Sequence, residues 1–180
     1  MKITRIETIP IRLPTRRVHQ WASLTTPIGV YVIIKLHTDN DLVGLGEAPV
    51  LRDWGGDHGK YFGETPETTA HIINDILAPA LRDQDPFRFE AVHALMDRTV
   101  KGYPYAKAAI DMALYDVAGK ALTAPAYQFL GGCFRDRIGI AHSLGLMEIE
   151  KAVEEGLQAK SEGVKTIKLK GGVDPKRDVE

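Results

Sequence analysis

A chain of 180 residues is long enough for one full domain, or for one domain and a piece of another. Its formal net charge is −1, with 44% hydrophobic and 26% charged residues, an ordinary globular composition that gives no electrostatic reason to bind nucleic acid or an anionic membrane surface. No apolar run approaches the ~20 residues of a membrane span, the N-terminus lacks the apolar stretch of a signal peptide, and Cys133 is the only cysteine. No internal disulfide can form, which fits a reducing, cytoplasmic setting.

Residues 2–13 read as a strand, with Ile3, Ile6, Ile9, Ile11 and Leu13 apolar and with Pro10 and Pro14 suggesting an edge or an ending. Residues 16–29 show no period and contain Pro27 and Gly29, so they read as a loop. Residues 30–38 are rich in β-branched side chains and form a second strand. The turn Asp39-Asn40-Asp41 returns the chain as a third strand over residues 42–48. Residues 49–65 make a long glycine-bearing loop, a length that in a compact domain marks function or mobility.

Helices follow. Thr65 is placed as an N-cap with Pro66 in the first turn, and the helix is expected to run to about Leu81. A second begins near Asp85-Pro86 and carries Phe89, Val92, Leu95 and Met96 at spacings of three and four. A third begins near Pro104, with Ile110, Ala113, Leu114 and Val117 on one stripe. Pro125 and Gly131-Gly132 punctuate what comes next. The pattern then becomes strand over residues 137–144, amphipathic helix over 148–161 ended by Gly163, and strand over 164–170. That is a βαβ unit, which requires parallel strands and a right-handed crossover. The chain therefore divides, in expectation, into an α+β domain over residues 1–125 and the start of an α/β domain over residues 126–180.

The sharpest chemical feature is Lys168-Leu169-Lys170, followed at once by Gly171-Gly172. Residues at i and i+2 share a strand face, so the two ammonium groups should point the same way from Cα atoms about 6.5–7 Å apart. Val164, Thr166, Lys168 and Lys170 fall on one face and Lys165, Ile167 and Leu169 on the other. In a (β/α)8 barrel the C-terminal strand ends carry the catalytic groups, and the helix-facing side must be apolar. Without that context a K-x-K is a solvated strand tip, and on the residues alone the two readings are evenly matched.

Lys107-Ala108-Ala109-Ile110-Asp111-Met112-Ala113-Leu114-Tyr115-Asp116-Val117-Ala118-Gly119-Lys120, followed by Pro125 and Leu130-Gly131-Gly132, resembles the signature helix of the mandelate racemase/muconate lactonizing enzyme family of the enolase superfamily. Gly44-Leu45-Gly46-Glu47-Ala48 resembles the family's G-x-G-E-A segment. The resemblance covers essentially the whole chain. It implies a capping domain of three antiparallel strands and helices, followed by the first βαβ of a catalytic barrel. It also implies an enzyme that abstracts the proton α to a carboxylate through an enolate, with racemisation, epimerisation, cycloisomerisation or dehydration as the outcome. By the same resemblance Lys170 is the acid/base catalyst, Lys168 assists it electrostatically, and Ser143 touches the substrate carboxylate. Residues 16–29 and 49–65 correspond to loops that close over the barrel mouth, which makes Arg16, Arg17, His19 and Trp21, with Trp54, His58 and Tyr61, candidates for substrate contact. A Mg²⁺ cofactor is implied, with ligands on later barrel strands beyond residue 180, so the chain is expected to be part of one about twice as long, since a typical barrel alone needs ≈ 250 residues. A homo-oligomer acting on a small carboxylate is implied as well.

Other readings are bounded by the same residues. A non-catalytic scaffold that keeps the capping fold is the alternative, told apart by whether acidic ligands follow on later strands. Lys170-Gly171-Gly172 lacks the spacing and the Ser/Thr of a phosphate-binding loop. His19, Asp57 and His58 have no recognised ligand spacing and are not taken as a metal site. Glu47 is a candidate buried carboxylate with a structural role, Arg135-Asp136-Arg137 a solvated or ion-paired patch at the domain junction, and Cys133 a packing residue.

Overall fold

The computed structural model describes residues 1–15, 28–51, 63–171, 174–176 and 179. The chain forms two compact units. The first joins Met1–Pro14 to Gly29–Cys133, and the second contains the described residues from Phe134 onward.

In the first unit, strands β1 (Ile3–Arg12), β2 (Val30–Thr38) and β3 (Val43–Ala48) form an antiparallel sheet in the order β1-β2-β3. The hairpin between β2 and β3 turns at Asp41, a non-glycine residue at φ 62°, and Thr38 donates its amide to the Leu42 carbonyl across it. Alternation sorts the central strand into two faces. Val32, Ile34 and Leu36 are fully buried, whereas Tyr31, Ile33, Lys35 and His37 lie on the opposite side.

The helical layer covers the buried face. Thr65 caps α1 (Pro66–His71), as the sequence anticipates, and the cap is a reciprocal bond with Thr68. The run to Leu81 is continuous but not uniformly α-helical: a π-helical stretch, Ile72–Leu77, separates α1 from α2 (Ala78–Leu81). The Ala78 amide reaches back to the Ile73 carbonyl. The next residue is Pro79, which has no N–H to give and whose ring would crowd the carbonyl one turn earlier. The wider turn lets the helix pass through it.

Helix α3 (Phe89–Thr99) and the 19-residue α4 (Pro104–Leu122) follow. Helix α4 buries Ala106, Ala109, Ile110, Ala113, Leu114 and Val117 against the sheet and its neighbours. Burial of Ile110, Leu114 and Val117 stabilises by roughly 1.5–3 kcal/mol each relative to exposure. A 3₁₀ turn, Ala126–Leu130, precedes the left-handed Gly131 and Gly132.

The second unit is a single parallel βαβ. Strand β4 (Ala141–Ser143) pairs with β5 (Thr166–Lys168), and α5 (Ile149–Ser161) crosses between them. Gly163, at φ 89°, follows the Glu162 C-cap. Both strands are shorter than expected from residues 137–144 and 164–170. Only three residue pairs face one another in register, so Ile138 and Ile140 on one side and Leu169 on the other carry no ladder and stand exposed.

Candidate functional site

The two three-residue strands decide where the chemistry of the second unit can sit. In their parallel register Ala141 faces Thr166, His142 faces Ile167 and Ser143 faces Lys168. Residues opposite one another in a sheet share a face, so Ser143 and Lys168 are neighbours on one side, and His142 and Ile167 on the other. Helix α5 identifies the second side. His142 Nε2 lies 2.8 Å from Glu155 Oε1 of α5, and the buried Leu144 lies against Gly156. Ser143 and Lys168 therefore occupy the sheet face turned away from α5. The Leu144 amide donates to the Lys168 carbonyl at 2.9 Å and closes the ladder just past them.

Lys168 is exposed and ends β5; Ser143 is partly covered. Lys170 lies two residues further on, past the paired segment, and is partly covered as well. The K-x-K of the sequence thus straddles the end of its strand, with one lysine held in the ladder and the other just past it. His19, Trp21, Trp54 and Tyr61, with Arg16, Arg17, Asp57 and His58, lie outside the described residues.

Two expectations, on Glu47 and Cys133, are corrected. Glu47 is exposed, not buried. Along β3 it shares parity with Leu45, while Gly44, Gly46 and Ala48 take the helix-facing side. That side is occupied so closely by α4 that a Cβ on Gly46 would lie 1.9 Å from the Ala109 carbonyl oxygen, and one on Gly44 would lie 2.1 Å from that of Ala113. The G-x-G pattern is therefore a strand–helix contact, and only the small residues can face it. Cys133 is exposed rather than packed in the core. Arg135, Asp136 and Arg137 are all exposed, and the Arg135 guanidinium lies over the Phe134 ring at 5.2 Å from its centroid.

The buried carboxylate of the first unit is one the sequence did not single out. Glu64, 3% exposed, accepts the Tyr105 amide at 2.6 Å and the Ala106 amide at 3.2 Å, and receives the Thr69 hydroxyl at 3.0 Å. Helix α4 begins at the left-handed Tyr103 and Pro104 with no local side-chain cap, so this distant carboxylate satisfies its first amides. The signature helix spends its other polar residues on the fold too. Lys107 reaches Asp97 and the Val100 carbonyl, and its ammonium holds the Asp97 carboxyl below the usual range. Asp111 meets His93, and Tyr115 stacks on Phe89 at 4.5 Å between centroids. Among the described residues, no group of three His, Cys, Asp or Glu side chains could hold a metal ion, and no helix is long and apolar enough to cross a membrane.

Residues 5–131 match the model of the mandelate racemase/muconate lactonizing enzyme N-terminal domain. The chain is 37% identical to an N-succinyl-L-Arg/Lys racemase of Bacillus cereus, over 99% of this chain and 47% of that protein. It is 34% identical to a chloromuconate cycloisomerase of Cupriavidus pinatubonensis, over 92% of this chain and 43% of that one. The crystal structure of the N-succinyl Arg/Lys racemase from Bacillus cereus superposes with a TM-score of 0.86 at 35% identity, over 99% of this chain and 47% of that one. A dipeptide epimerase from Enterococcus faecalis, described as complexed with Mg and the dipeptide L-Leu-L-Tyr, superposes with a TM-score of 0.83 at 26% identity, over 99% of this chain and 48% of that one. The chain spans about half the length of the curated relatives it matches.

Proposed function

The chain belongs to the mandelate racemase/muconate lactonizing enzyme family of the enolase superfamily, and on that premise we propose that it contributes the base-bearing part of an isomerase that removes the proton α to a small substrate's carboxylate. Lys170 takes the proton. Lys168 and Ser143 bind the carboxylate and favour the charge that develops on the enolate. What supports this reading most directly is the register that sets Ser143 beside Lys168, away from α5, with Lys170 two residues on. A cation and a hydroxyl at adjacent strand ends make a fitting anion subsite.

The resemblance also brings a magnesium ion, and one solved relative is described as complexed with Mg. The described residues offer no ligand set for it, so the part assigned to this chain is carboxylate binding and proton transfer. Relatives that are a racemase, a cycloisomerase and a dipeptide epimerase fit one proton-abstracting step that leads to different products. A cytoplasmic homo-oligomer completes the proposal.

Substrate incubated with the whole enzyme in D₂O and followed by NMR tests it. Lys170→Ala should abolish exchange of the α-proton on the face this lysine reaches, and Lys168→Ala should leave slower exchange. Undiminished exchange by Lys170→Ala on both faces would remove Lys170 from the role.

A further inference from the structure

We draw no further inference here: the strongest candidate, the apolar stripe of Ile149, Val153 and Leu157 along α5, exposed at 38%, 56% and 61%, carries nothing because nothing in the structure shows what covers it.

Discussion

Glu64 shows how a single residue can organise two helices. Its carboxylate stands where the first amides of α4 need an acceptor and where Thr69 of α1 needs a partner. It lies 41 residues from Tyr105 in sequence, so no local capping pattern reveals it. Thr65, by contrast, was legible because a capping threonine followed at once by Pro66 in the first turn is a local mark of a helix start. Tyr105 carries the signature of this arrangement. Burial, and then the nearby Glu64 charge, push its phenol above the ordinary value. Because the folded state holds the phenolic proton more tightly, this contribution to stability is complete below about pH 10 and is lost as pH rises through the raised pKa. Glu64→Gln should lower the Tyr105 pKa only in part, since burial is the larger cause, and ultraviolet titration of the phenol reads the shift. Glu64→Ala should destabilise by about 3 kcal/mol in urea, because it leaves buried amides without an acceptor. A Tyr105 titration identical in Glu64→Gln and the parent would mean that the carboxylate is not charged beside it.

At the scale of elements, the contact between β3 and α4 explains most of the family signature in physical terms. Gly44 and Gly46 let the strand approach the helix backbone, and Asp116 and Lys120 then treat the strand's open edge. Asp116 accepts the Leu45 amide at 2.7 Å, Lys120 donates to the Val43 carbonyl at 2.7 Å, and the two side chains pair at 2.6 Å. An edge strand with free amides and carbonyls is a template for another chain, and charged side chains are a common guard. The sequence made the strands and the apolar stripe of α4 legible because their periods are local. It could not show that Asp116 and Lys120 serve the β3 edge, since that depends on how helix and strand pack. The misplacement of Glu47 has the same origin, although the small residues at 44, 46 and 48 already marked the crowded face. Replacing both Asp116 and Lys120 by alanine should speed exchange of the Leu45 amide about tenfold and produce concentration-dependent association in sedimentation velocity. Adding Leu45→Lys should reverse the association. A monodisperse double variant with a protected Leu45 amide would show that the edge needs no guard.

Across the whole molecule the two units differ in how much apolar surface they bury. The first has a continuous core running from Ile3 to Val117, with the sheet on one side and the helices on the other. Among the described residues of the second, only Leu144 and Ala159 are buried hydrophobic residues, while Ile138 and Ile140 are 80% and 76% exposed and Leu169 is 72% exposed. The sequence foreshadowed this contrast, because a βαβ unit has two strand edges and an inner face that its own residues cannot cover. Each open aliphatic forgoes roughly 1.5–3 kcal/mol of burial, so the second unit has little with which to offset the entropy of ordering its chain. The 180-residue chain should accordingly unfold in two steps, the second unit at lower urea. Native-state hydrogen exchange should show amides of β4, α5 and β5 opening well before those of β2 and α4. A hydrophobic dye should bind the 180-residue chain and bind much less to a chain of residues 1–133, which keeps the core and omits the exposed isoleucines. Equal protection of both units, with no dye bound, would show that the βαβ unit is stabilised by something other than its own packing.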